Sequence, residues 1–202
     1  MSQPQLWVLA GPNGAGKSTI ARRHIIGRVP FVNADDIARQ LDPSDVNSPA
    51  AHLRAGRLAV EEREGRLARR ETFAMETTLT GKSELALMRR AAEAGYKVNL
   101  IFVGLDDVAL SAARVHARVR RGGHNVPKDA ILRRYGRSME ALPEALSIAH
   151  RAWVFDNSDS RRRLLLKRDQ GEVKKLSADL SAWAEQAIPQ QLRQKVQKRG
   201  GR

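Results

Sequence analysis

The chain has 202 residues, no cysteine, 36 basic against 22 acidic side chains and a formal net charge of +14. That length suits one α/β domain with a good core and is short for two, and the missing cysteines exclude disulfides, thiolate catalysis and zinc–cysteine sites. No basic-then-apolar signal segment opens the sequence and no stretch approaches the roughly 20 apolar residues that cross a bilayer, so a soluble, cytoplasmic protein without a membrane partner is expected.

The excess of positive charge has two readings. One is attraction to nucleic acid or another polyanion. The other is a solvated basic surface, with phosphate-rich small substrates accounting for part of the charge. Basic residues are spread through the chain, only three Trp, two Tyr and four Phe could stack on bases, and no nucleic-acid motif appears. The second reading is adopted, and a nucleic-acid partner is not expected.

Leu6 to Ala10 is an apolar run without a polar face, the pattern of a buried parallel strand. It empties into Gly11-Pro12-Asn13-Gly14-Ala15-Gly16-Lys17-Ser18, which fits G-x-x-x-x-G-K-[ST] at every fixed position and continues to Thr19. Glycines let successive backbone N–H groups turn towards an anion, and the following helix adds its positive end. In this pattern the lysine reaches the β- and γ-phosphates and the Ser18 hydroxyl ligates Mg²⁺. A nucleoside triphosphate, ATP with Mg²⁺, is therefore the expected ligand of Gly11 to Thr19. The bland alternative, a glycine-rich turn that binds nothing, lacks support because a strand precedes the motif and a helical segment follows.

A helix is expected from about Ser18 to Ile26 and a short strand over Val29 to Val32. Asn33-Ala34-Asp35-Asp36 then leads into another helix, established by Ile37. Asp42 to Pro49 reads as a turn-rich loop, and Ala50 to Arg70 as a long charged helix with Leu53, Val60 and Leu67 on one face. Thr72 to Leu79 is a third strand whose apolar character breaks at Glu76. Ser83 to Ala94 is helical, Lys97 to Leu105 is a buried strand, and helices follow over Val108 to Arg121 and Pro127 to Ala141. Trp153 to Phe155 is a last parallel strand ending at Asp156-Asn157-Ser158. Leu164 to Lys174 resembles a hairpin turning at Asp169-Gln170-Gly171, and Ala178 to Ala187 forms a final helix. Residues 189–202 are basic and expected to fray. Strands alternating with helices predict a three-layer α/β fold around a mostly parallel sheet, one domain over 1–188 with a helical lid near 108–141.

In such sheets ligands bind at the carboxyl ends of strands, so the polar residues where apolar runs stop are the candidates. Asn33 as N-cap with Asp36 in the first turn accounts for the next helix and leaves Asp35 without a structural task. Asp35 is therefore assigned to accepting a proton from a hydroxyl during phosphoryl transfer. Glu76 stands in a run that should be buried, so it either pairs with an internal basic group or faces a ligand. Thr78, two residues on, shares its side of a strand and could act with it on a polyhydroxy substrate. Arg114, Arg118 and Arg121 fall on one helical face, as a solvated basic stripe or as lid arginines that stabilise the transferred group. Arg133, Arg134 and Arg137 pose the same question. His124 reads as a loop histidine because no second ligand stands at coordinating spacing.

Taken together, GPNGAGKST, VNADDIA, FAMETTLTG, ARVRRGGHNVP with AILRRYGRSME, and VFDNS resemble the zeta toxin family of phosphate-loop kinases, in particular its short single-domain bacterial members. The resemblance runs from about Leu6 to Ser158. It implies ATP-dependent phosphorylation of a UDP-activated amino sugar such as UDP-N-acetylglucosamine at the sugar 3′-hydroxyl, and an antitoxin protein as a partner. It makes Asp35 the base, Lys17 and Ser18 the phosphate and Mg²⁺ contacts, Glu76 and Thr78 the sugar-nucleotide contacts, and Arg118 and Arg134 the catalytic lid arginines. The chain departs from the longer toxins at Gly122-Gly123-His124, where they place an arginine. The rival readings are a kinase for another small molecule or a nucleic-acid end, and an ATP-binding regulatory module with slow hydrolysis.

Overall fold

The computed structural model describes residues 3–197. Five parallel strands form the centre of the sheet: β1 (Gln5–Ala10), β2 (Phe31–Val32), β3 (Phe73–Thr77), β4 (Lys97–Gly104) and β5 (Arg151–Asp156). They stand in the order β2-β3-β1-β4-β5. An antiparallel hairpin, β6 (Arg163–Asp169) and β7 (Glu172–Leu176), extends the β5 edge and makes a sheet of seven strands. Its turn holds Gln170 and Gly171 at positive φ, as the Asp-Gln-Gly sequence suggests.

Alternation along the strands divides the core between two faces. Leu6, Val8 and Ala10 of β1 and Val98, Leu100 and Phe102 of β4 face one layer, built from α4 (Lys82–Glu93), α6 (Lys128–Ile148) and α7 (Ala182–Ala187). Leu9, Ile101 and Val103 face the other, where α1 (Lys17–His24) packs through Ile20 and Ala21. Trp7 and Trp153 stack on that same side with centroids 5.9 Å apart. The remaining helices are α2 (Ala34–Leu41), α3 (Pro49–Ala68), α5 (Val108–Val119) and α8 (Gln190–Gln197). The three-layer α/β arrangement with its C-terminal hairpin is thus present. Among the described residues no helix is long and apolar enough to cross a membrane.

Three local differences from the sequence reading have physical causes. The helix expected to end at Ala141 continues to Ile148 through Pro143. Proline removes one N–H from the ladder, but Leu142, Ala145 and Leu146 are buried and hold the next turns against the core. Of the face expected on α3, Leu67 packs against the core but Leu53 and Val60 are exposed, at 63% and 49%. The helix docks instead through Ala51, Ala55 and Ala59, whose small side chains let it lie close to α2 and β2. In the basic C-terminal stretch, Gln190–Gln197 form α8, and residues 198–202 lie outside the described part.

Candidate functional site

The site begins where β1 ends. Gly11, Gly14 and Gly16 have φ of 136°, 71° and 91°, a run that side chains with a Cβ rarely adopt. At Gly11 space decides as well, since a Cβ would stand 2.1 Å from the Val103 carbonyl oxygen on β4. Two side chains from later in the sequence fasten the loop. Ser111 Oγ donates to the Asn13 carbonyl at 2.6 Å, and Asn157 Nδ2 donates to the Ala15 carbonyl at 2.9 Å.

Lys17 opens α1 and turns back under the loop. Its ammonium donates to the carbonyls of Gly11 at 2.8 Å and Pro12 at 3.0 Å, and lies 3.9 Å from Glu76 Oε1. Burial pushes the Lys17 pKa down, opposed by the negative charges of Glu76 and Asp35. Glu76 pairs with an internal cation, the first of the two roles its sequence left open, and it also lines the cleft. The Ser18 hydroxyl is 3.3–3.4 Å from its two carboxylate oxygens, and Asn33 Nδ2 is 3.5 Å from Oε2. Burial raises the Glu76 pKa, the Lys17 charge opposes that, and the Asp35 charge adds to it. A hydroxyl beside a carboxylate at the mouth of the phosphate loop is a donor set suited to a hard cation such as Mg²⁺.

Asn33 caps α2 by accepting from the Asp35 backbone N–H at 2.9 Å. Asp36 pairs with Arg39 on the surface, 3.1 Å away, and lies away from the cleft. The Asp35 side chain has no hydrogen-bond partner among the described residues and lines the cleft with Lys17 and Glu76. The cleft has a volume of about 430 Å³. Thr78 also lines it, although β3 ends at Thr77, so the two do not share a strand face as expected. Thr78 lies just past the end of β3 and is 3.1 Å from Thr80 through their hydroxyls.

Of the three arginines expected on one helical face, Arg114 and Arg118 lie on α5, whereas Arg121 falls in the turn after its end at Val119. Arg114 lines the cleft, and its Nη1 donates to the Asn157 carbonyl at 2.7 Å and so ties α5 to the segment after β5. Arg118 lines the cleft, with Nη2 donating to the His124 carbonyl at 2.8 Å. Arg121 is exposed and takes no part. On α6, Arg134 lines the cleft, whereas Arg133 pairs with Asp129 on the surface and Arg137 is exposed. Arg118 and Arg134 line the same cleft as Lys17, and their charges add to the lowering of its pKa.

A family model described as an AAA domain matches residues 6–142. The chain belongs to this AAA domain family. An uncharacterized protein of Haemophilus influenzae strain Rd is 34% identical over 142 residues, a match covering 67% of this chain and 100% of that one. Among solved structures, a chain of the AvrRxo1-ORF1:-ORF2 complex with ATP superposes with a TM-score of 0.75 at 19% identity, covering 94% of this AAA domain protein. The present chain spans 65% of that chain's length. A chain from the PezAT chromosomal toxin-antitoxin system of Streptococcus pneumoniae gives a TM-score of 0.61 at 16% identity, covering 98% of this chain and 85% of that one. At these identities the superpositions show the fold, a phosphate-loop α/β domain.

Several cleft residues of this AAA domain were not singled out from its sequence: Arg22, Arg63, Thr80 and Glu84. Arg63 stands in the charged run of α3 with nothing to distinguish it from its neighbours. It is mostly buried, and its Nη2 donates to the Glu76 carbonyl at 3.4 Å. Burial pushes its pKa down, with Glu84 and Glu62 opposing. Glu84 had one weak signal, its place in the first turn of α4 beside the strand end, and it accepts from the Thr77 hydroxyl at 3.3 Å. His124 lies in the connection between α5 and α6, as its sequence suggested, but it does not stand alone there. Ligand atoms of Asp35, His52 and His124 lie within 4.8 Å of one another, because the fold joins segments too distant for any spacing pattern to connect.

Proposed function

We propose that the chain is an ATP-dependent phosphotransferase of the zeta toxin type, acting on a hydroxyl of a UDP-activated amino sugar such as UDP-N-acetylglucosamine. One observation carries the reading. A carboxylate without a hydrogen-bond partner among the described residues, Asp35, shares a cleft with the phosphate-loop lysine, the Ser18–Glu76 pair and the guanidinium-bearing Arg118 and Arg134. The ATP in the AvrRxo1 complex and the toxin–antitoxin system of the PezAT match support it by analogy.

In this mechanism the loop from Gly11 to Thr19 holds the triphosphate, with backbone N–H groups and the α1 N-terminus facing its charge. Lys17 exchanges its carbonyl partners for the β- and γ-phosphate oxygens. Ser18, with Glu76 behind it, would hold Mg²⁺, which when bound neutralises phosphate charge. The acceptor hydroxyl oxygen bonds to the γ-phosphorus as the bond to the β-phosphate oxygen breaks, and ADP leaves. Asp35 accepts the hydroxyl proton, and Arg118 and Arg134 stabilise charge on the moving phosphoryl group. Thr78, Thr80, Arg63 and Glu84 form the remaining wall, where a sugar nucleotide offers hydroxyls and a diphosphate to match them. A cytoplasmic location and an antitoxin partner belong to the same proposal.

The deciding experiment incubates the protein with Mg²⁺–ATP and UDP-N-acetylglucosamine and reads products by mass spectrometry, with Lys17→Ala as control. A phosphorylated sugar nucleotide absent from the control is the expected result. ATP bound and hydrolysed without such a product would overturn the acceptor assignment.

A further inference from the structure

Beside the phosphate loop a second set of donors converges, with Asp35 and His124 lining the cleft and His52 next to them. Asp35 comes from the start of α2, His52 from the first turns of α3, and His124 from the connection between α5 and α6. The two imidazoles lie 3.8 Å apart between centroids. His52 Nε2 is 3.0 Å from the Val46 carbonyl oxygen, which can only accept, so this nitrogen carries the proton and Nδ1 keeps its lone pair. A backbone carbonyl behind the far nitrogen is also the usual way a metal-ligating imidazole is oriented. His124 Nδ1 is hidden from solvent with no hydrogen-bond partner among the described residues. The connection carrying it is held on both sides, by the Asn125 N–H donating to Asn47 Oδ1 at 2.8 Å and by Arg118 on the His124 carbonyl.

We propose that Asp35, His52 and His124 form a binding site for one borderline divalent cation of the zinc type, which ties the α5–α6 connection to α3 and inhibits the enzyme by engaging Asp35. Two imidazoles and a carboxylate suit Zn²⁺ and leave a fourth position open towards the cleft. Hard Mg²⁺ prefers all-oxygen surroundings and does not compete well for such a set. Tetrahedral bonds of about 2.1 Å set ligand atoms about 3.4 Å apart. Donors within 4.8 Å therefore close the site by side-chain rotation. The inhibitory part rests on the proposed role of Asp35, and the binding part does not.

The test uses the full chain without a histidine tag. Zn²⁺ is titrated against a chromophoric chelator, and Co²⁺ serves as a spectroscopic reporter of nitrogen ligation, both without nucleotide or acceptor. The expected result is one Zn²⁺ per chain, weakened at least about tenfold in both His52→Ala and His124→Ala and unchanged in His116→Ala, which alters an exposed histidine of α5. Circular dichroism confirms that each variant is folded. Absence of Zn²⁺ binding, or an affinity equal to the parent's in folded His52→Ala and His124→Ala, would overturn the site. Zn²⁺ should also suppress phosphoryl transfer in the parent and be at least about tenfold less potent against the residual activity of His124→Ala. Binding without suppression would overturn the inhibitory role and leave the kinase reading intact, whereas failure of the kinase reading leaves the titration unaffected.

Discussion

Glu76 Oε1 stands 3.9 Å from Lys17 Nζ with both side chains largely hidden, 14% and 7% exposed. Two opposite charges are held at the mouth of the phosphate loop in surroundings that favour neither, since burial raises the acid and lowers the base. A raised folded pKa means that the protonated form of Glu76 is favoured by folding. Its contribution is fully present below the ordinary value of 4.5 and is lost as pH rises through the raised value. Glu76→Gln, neutral throughout, should therefore gain in Tm relative to the parent as pH rises from 4.5 towards neutrality. Thermal melts of both proteins across that range check the sign, and a gap that shrinks with pH would contradict it.

The same substitution separates stability from activity. Removing the carboxylate beside Ser18 should lower kcat at least about tenfold while the fold tightens, the trade expected where a site retains uncomfortable charge.

Asp35→Asn keeps the size of the side chain and leaves the Asn33 cap on its backbone N–H untouched. Loss of a general base costs about 10²–10⁴ in rate. The variant should thus turn over at least about a hundredfold more slowly with ATP affinity nearly unchanged. Steady-state kinetics with a parallel nucleotide-binding measurement checks this, and normal turnover would remove Asp35 from the role.

Arg118 and Arg121 share a helical face in the sequence but only Arg118 reaches the cleft. Arg118→Ala should lower kcat at least about a hundredfold, whereas Arg121→Ala should stay within about twofold, as an exposed side chain away from the chemistry does. A matched pair of rate measurements decides it.

At Gly11 a methyl group would meet the Val103 carbonyl at 2.1 Å on a backbone with φ of 136°. Gly11→Ala should cost about 3 kcal/mol, from strain and from displacement of β4. Chemical denaturation measures it.

On α3, Ala59→Leu should destabilise by about 1–3 kcal/mol because Ala59 is 1% exposed against the core. Val60→Ser, one residue along, should lie within about 0.5 kcal/mol of the parent because that side chain is 49% exposed.

Much of this protein is written locally. The phosphate loop is a contiguous pattern whose geometry follows from the glycines that allow positive φ, and Asn33 before Ala34-Asp35-Asp36 signals its own helix cap. The apolar runs of β1 and β4 show buried parallel strands because no polar residue interrupts them. For these features the cause lies within a few residues of the effect, and the chain alone determines them. Which side of α3 meets the core was not local. Leu53 with Val60, and Ala51 with Ala55 and Ala59, are both plausible helical stripes, and only the closeness of α2 and β2 chose the small one. The fate of the α5 arginines was not local either, because the partners of Arg114 come from the segment after β5. The meeting of Asp35, His52 and His124 belongs to the same class. Their residues are separated by loops whose closure depends on strand order, β2-β3-β1-β4, and no periodicity in one dimension encodes a distance set by topology in three.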